Sequence, residues 1–319
     1  MFFSFSLLPF LRRSLFGISS EETTFARRGF SRGDSRTQGT LEHIGALFVE
    51  GYHLALADDR MEVLVPALEE LEAAYRGFAF EGAAMALSLL DYFSPFKRRL
   101  ASFIQGPGAH HVYMLHVGAG WTLGRLPRSL QGLMKQFDPL LSWLVVDGYG
   151  FHQGFFSWPR FIAGQEMPAR LSAQAAQVFD QGLGRSLWFV KGADIARIHE
   201  AVFAFPAERR GDLWSGIGLA CAYAGGIGQD EVQALCSAAG TARWHLAQGA
   251  AFAAKARQRA GNPAAHTDLA CRIFSGLSSE EAAAVSDACL IDLPQGAYAL
   301  WRARIRAQLA GQNERVEQG

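Results

Sequence analysis

Asp212-Leu-Trp-Ser-Gly-Ile-Gly-Leu-Ala220 holds the phrase that decides the fold, Ser215-Gly216-Ile217-Gly218. The pattern is a polar residue, a glycine, any residue, and then usually a small one. It returns as Glu50-Gly51-Tyr52-His53, Glu81-Gly82-Ala83-Ala84, Val117-Gly118-Ala119-Gly120, Asp147-Gly148-Tyr149-Gly150, Gln181-Gly182-Leu183-Gly184 and Gln248-Gly249-Ala250-Ala251. In chain order the leading glycines lie 31, 36, 30, 34, 34 and 33 residues apart. A period near 34 is that of a two-helix unit that buries its apolar face only by stacking on the next unit. The phrase therefore predicts an all-α chain, a helical-repeat array (α-solenoid) of a dozen or more helices.

Apolar spacing agrees. Leu213, Ile217 and Cys221 follow a helical period, and Val232, Leu235 and Cys236 resume it after a break. Strand alternation is scarce. Trp214, Ile217, Gly218 and Gly225 have the spacing of the first helix and turn of a tetratricopeptide-like repeat, with Ile227-Gly228 as a small insertion before Asp230 and Glu231 open a second helix. Phe48-Val-Glu-Gly51 resembles Phe189-Val-Lys-Gly192 and reads as a weaker internal echo. Three regions follow: residues 1–40, an N-terminal apolar helix and an irregular Arg/Ser/Gly connection; 41–310, one helical-repeat domain; and 311–319, a disordered tail.

Arginine plus lysine equals aspartate plus glutamate at 30 each, which argues against a nucleic-acid role because no net field collects phosphate backbones. Cys221, Cys236, Cys271 and Cys289 lie too far apart for a CxxC pattern and read as buried, reduced thiols of a cytoplasmic protein. The run Met1–Leu11 precedes Arg12-Arg13, the reverse of a signal peptide, and is shorter than the ~20 residues of a membrane span. It reads as an amphipathic helix that caps the array or touches the inner-membrane surface.

An interior glycine costs about 1 kcal/mol relative to alanine, so its recurrence points to close helix contacts rather than a phosphate loop; no strand followed by a nucleotide-binding glycine motif occurs. The polar residues beside the glycines, Glu50, Glu81, Asp147, Gln181, Ser215 and Gln248, either line a shared groove or form a solvated edge. Asp147 with His152 reads as an acid/base pair and Asp180 with Arg185 as a charge pair, and Trp214 completes the candidate groove. The aromatic stretch Trp143–Trp158 offers the floor of an apolar pocket or plain core. His110, His111 and His116 lack the i, i+4 spacing and a nearby carboxylate, so they read as core or capping residues, and neither a metal nor another cofactor is expected. No nucleophile elbow or metalloprotease helix is present, so no enzymatic mechanism is written in the chain.

Phe179-Asp-Gln-Gly-Leu-Gly-Arg-Ser-Leu-Trp-Phe-Val190, Asp212–Ala220, Gln248-Gly-Ala-Ala-Phe-Ala-Ala-Lys-Ala-Arg257, Leu144-Val-Val-Asp-Gly-Tyr-Gly-Phe-His152 and Arg28-Gly-Phe30 go beyond repeat grammar. From about Phe25 to Trp301 the chain resembles the UnbL-type family associated with enediyne biosynthesis, a domain of unknown function also found outside antibiotic clusters. The resemblance implies gene neighbours that include an iterative polyene polyketide synthase or related oxidative proteins, among them a membrane-embedded partner and a large secreted-type repeat protein. It supplies no catalytic residues. The expected function is accessory, handling a long apolar polyene or its partner enzymes. The alternatives are a tetratricopeptide-like scaffold of a membrane-associated redox complex and a cofactor-free polyene cyclase.

Overall fold

A computed structural model describes residues 7–317. The chain forms α1 (Leu7–Phe16), α2 (Phe25–Arg28), α3 (Ser35–Ala57), α4 (Met61–Glu69), α5 (Arg76–Phe93) and α6 (Arg99–Gln105). It continues through α7 (Val112–Trp121), α8 (Leu130–Met134), α9 (Trp143–Phe156), α10 (Ala173–Val190), α11 (Ile195–Ala204) and α12 (Ala207–Ala224). The last five are α13 (Gln229–Ala239), α14 (Arg243–Ala260), α15 (Ala265–Ser275), α16 (Ser279–Ala288) and α17 (Tyr298–Glu317). No strand occurs among the described residues, so the all-α expectation holds.

Local sequence sets the boundaries. Asp34, Ser172 and Asp194 each accept a backbone N–H from the first turn of α3, α10 and α11, satisfying donors a helix start leaves open. Ser278 and Glu281 close a reciprocal cap on α16. The first long helix, α3, opens at Ser35 because the Asp34 cap sits there. At the other end α17 runs through most of the segment expected to be a disordered tail; the rest of that segment, Gln318 and Gly319, lies outside the described residues, as do residues 1–6 of the N-terminal helix.

Seven helices, α3, α5, α7, α9, α10, α12 and α14, pack each on the next, and glycine sits at every junction. A β-carbon on Gly182 would lie 1.9 Å from the Asp147 carbonyl oxygen of α9, and one on Gly184 would lie 2.1 Å from that of Leu213 in α12. The same holds along the layer: Gly118, Gly148, Gly216 and Gly249 meet the preceding helix, and Gly120, Gly150 and Gly218 the following one. The two small positions of the phrase thus serve two neighbours, since only glycine lets backbones approach so closely.

The first copy is read one position pair out of register. Gly51 meets Ala79 of the following helix, the role of the second small residue, so Val49 stands where the other copies place their leading glycine. From Val49 to Gly82 is 33 residues, closer to the period than 31. Glu50 is accordingly exposed, and Phe48 takes the place of the polar residue. The internal echo also fails, because Gly51 lies inside α3 whereas Gly192 lies beyond α10 with φ +62°.

An outer set of helices, α11, α13 and α15, packs in series on α12 and α14. The inner layer curls back on itself. Arg257 of α14 donates to the Ala74 carbonyl at 3.0 Å, Arg259 to that of Ala109 at 3.1 Å, and the Tyr223 ring lies 5.1 Å from Phe78 of α5. The interior of the curl is consequently filled with side chains. Among the described residues no helix is long and apolar enough to cross a membrane.

Candidate functional site

All nine sequence-derived site residues are buried: Glu81, Asp147, His152, Asp180, Gln181, Arg185, Trp214, Ser215 and Gln248. Of the polar column only Glu50 is exposed; Glu81, Asp147 and Arg185 instead line small interior cavities, because the curl brings α10, α12 and α14 back toward α5. Their pairings also differ from those expected. Arg185 pairs with Asp147 rather than Asp180, while Asp180 takes a two-pronged bond from Arg209 at 2.9 and 2.6 Å. No hydrogen bond joins Asp147 to His152, whose Nδ1 is buried without a partner. Burial, with Arg125 nearby, lowers the His152 pKa to about 3, so this imidazole is neutral.

The centre of the network is Arg185. Its guanidinium holds Asp147, lies 3.9 Å from Glu81 and sits 4.9 Å over the Phe151 ring. Gln181, one turn earlier on α10, donates to the other Asp147 oxygen at 2.7 Å and to the Tyr298 hydroxyl at 3.1 Å. Trp121 Nε1 donates to Glu81 at 2.9 Å. Burial drives the Glu81 pKa up to about 7, with Asp147 adding to the rise and Arg185 and the Trp121 bond opposing it. Glu81 is therefore a carboxyl that its apolar surroundings hold toward the protonated form.

A second buried chain lies along the same layer. Ser215 donates to Gln248 at 2.8 Å, and Arg302 bridges Gln248 and Asp212 at 3.2 and 2.8 Å. The sequence reading missed Trp121, Arg209, Asp212, Tyr298 and Arg302. Tyr298 and Arg302 share a face of α17 because they stand four residues apart, a spacing that was available to find them.

Two apolar cavities share Arg185 in their linings. Each has a volume of about 40 Å³, room for only a few waters. One opens between α7, α12 and α14, with Asp147, Tyr223, Phe252 and Trp301 in its lining. The other lies toward α3, with Glu81, Trp121, Phe151, Phe155 and Phe189. The aromatic stretch of α9 supplies the wall of this second cavity and core at the same time.

His110 and His111 do acquire a carboxylate, contrary to expectation. Folding carries Glu69 to within 3.1 Å of His110 Nε2, and one ligand-capable atom from each of Glu69, His110 and His111 lies within 4.8 Å of the others. Arg76 occupies the same carboxylate at 2.6 Å and competes with any cation there. His116 stands apart, its Nδ1 bonded to the Val112 carbonyl at 2.7 Å. All four cysteines are free, with Cys221, Cys271 and Cys289 buried and Cys236 half-buried.

No curated protein and no solved structure is detectably similar to this chain. A family of uncharacterised proteins matches it from residue 7 to residue 309, a span that includes every helix contributing to the Arg185 network and all but the end of α17. The chain thus belongs to the family described as protein of unknown function, DUF1702.

Proposed function

We propose that the protein is an accessory factor of enediyne-like polyketide biosynthesis, holding a slender apolar polyene or presenting it to partner enzymes of the same cluster. The observation that carries the reading is the pair of apolar cavities that share Arg185 in their linings. Aromatic and aliphatic walls favour a conjugated chain, at roughly 25 cal/mol per Å² of apolar surface buried, and Arg185 with Glu81 suits an oxygen-bearing terminus. Both cavities are smaller than the roughly 300 Å³ typical of ligand pockets, so entry requires side chains such as Phe252 and Trp301 to swing aside. The recurring glycine contacts agree with a helical-repeat array of tetratricopeptide-like period, a scaffold that leaves the outer helices for partners. Titration with a conjugated tetraene fatty acid tests the reading. Saturable probe fluorescence that is lost in Leu144→Trp, a variant filling the first cavity, supports it when circular dichroism is unchanged. Absence of saturable binding to the natural protein overturns it.

A membrane-associated scaffold is the second reading, favoured by α1. This helix is inside out: Arg12 faces inward to Asp59 at 3.1 Å, while Phe10, Leu11 and Leu15 are 73%, 50% and 72% exposed. Phe16 packs 5.2 Å from Phe93, extending the patch toward the fully exposed Phe96, and the exposed Arg13, Lys97 and Arg98 flank it. Apolar side chains ringed by cations suit an anionic bilayer surface. Sedimentation with phosphatidylglycerol vesicles, lost in the double variant Phe10→Ser, Phe96→Ser, would support peripheral attachment, and no sedimentation of the natural chain would exclude it.

A further inference from the structure

Beyond the Arg185 network, a cavity of about 630 Å³ opens between α12, α14 and α17. Arg210, Asp212, His245, Arg302 and Arg306 contribute its charged and ionisable groups together with Glu208, and Gln177 and Thr241 add neutral polar ones. Their commitments differ. Arg302 is spent on Asp212 and Gln248, and Arg210 on the carbonyls of Phe205 and Phe203, both at 2.8 Å, with its plane 4.8 Å over Phe203.

Arg306, one turn beyond Arg302 on the same face of α17, makes no hydrogen bond or ion pair with any described residue. Glu208 is exposed and forms no salt bridge with any of the three arginines. His245 Nδ1 is buried and has no partner either. A half-buried guanidinium beside a second arginine is costly to leave without a direct partner, because it has lost water and its nearest counter-charge, Asp212, is already held by Arg302. Burial lowers the Arg306 pKa, and Arg302 adds to the effect. Burial, Arg306 and Arg302 likewise bring that of His245 down to about 4, against an opposing backbone contact at Gly211, leaving a neutral ring.

We infer that this cavity binds an oxyanion, a phosphate or carboxylate group, on Arg306, with His245 beside it in the same lining. The guanidinium fork matches two oxygens of such a group at once. Asp212 repels an anion, but Arg302 already neutralises it. The site is separate from the cavities at Arg185 and stands whether or not a polyene occupies them.

Titration calorimetry at constant ionic strength tests the inference, with inorganic phosphate and acetate as probes and chloride as the reference anion. One saturable site is expected. Arg306→Gln weakens it at least tenfold, and Arg36→Gln, which removes an exposed charge elsewhere, leaves it within twofold. Tighter phosphate than acetate identifies a phosphate ligand, and the reverse a carboxylate. Without added anion, Arg306→Gln unfolds at the same or higher urea concentration than the natural protein, because a like-charge neighbour is gone. Binding no stronger than that of chloride, an unchanged affinity in Arg306→Gln, or a clear loss of stability in that variant each overturns the inference.

Discussion

Replacing Gly216 by alanine tests the glycine seam most directly. Two effects compete. Alanine is the better helix former by about 1 kcal/mol, so a glycine with free space around it should gain stability on substitution. At Gly216 the new β-carbon would stand 1.9 Å from the Gln181 oxygen and 2.7 Å from the Arg185 nitrogen, both backbone atoms of α10. A carbon–oxygen contact relaxes at about 3.3 Å, so α10 and α12 must part by roughly 1.4 Å at their closest point. Overpacking of this kind costs about 1–3 kcal/mol. The displaced segment also carries Gln181 and Arg185, which hold buried Asp147, and each loosened bond to a charged group costs a further ~1.5 kcal/mol or more. Gly216→Ala should therefore lose about 3 kcal/mol net or more. Gly39 provides the internal control, since it lies in α3 with nothing within 4 Å of its added carbon. Gly39→Ala should gain up to about 1 kcal/mol. Urea unfolding followed by circular dichroism at 222 nm reads both. Equal shifts for the two variants would refute the close-contact reasoning, and a stabilised Gly216→Ala would reverse it.

Glu81 makes stability depend on pH. Its folded pKa of about 7 lies above the ordinary 4.5, so the folded state holds the proton more tightly, and the stability this contributes is full below pH 4.5 and lost as pH rises through 7. His111 and His152, both lowered to about 3 by burial, act in the opposite sense as pH rises toward 6.5. The difference between natural protein and Glu81→Gln isolates the carboxyl: the variant should gain on the natural chain between pH 5 and 8 in urea midpoints, and parallel profiles would contradict the assignment. Arg185→Met should cost about 3–5 kcal/mol by leaving two buried carboxylates unpaired, with much of the loss recovered when Glu81→Gln and Asp147→Asn are added; no recovery would place the cost in packing instead. Burial raises the thiol pKa values of Cys221, Cys236, Cys271 and Cys289, so a disulfide reagent should label half-buried Cys236 first and the remaining thiols only on unfolding. Rapid labelling of Cys221 in the folded protein would contradict its place in the core.

The sequence by itself determined the helices and the seam between them. Helical period is a local property, and a close backbone approach demands a residue without a β-carbon at each junction, so the seam had to be written as recurring glycine. The direction each glycine faces was less legible, which is why α3 was placed two residues out of register. Pairing within the site was decided in three dimensions. Asp180 and Arg185, like Asp147 and His152, stand five residues apart, about 140° around a helix of 3.6 residues per turn, and so point to different faces. Gln181 and Arg185 stand four apart and share one, and both reach Asp147 across the Gly148–Gly182 region. Glu69 lies 41 residues before His110, too far along the chain for any spacing rule to join them. Whether the polar column would face solvent or the interior depended on closure of the layer, through Arg257 on Ala74 and Tyr223 beside Phe78. Such contacts join residues more than a hundred positions apart, and their formation depends on the summed curvature of six helix junctions, which no local pattern encodes.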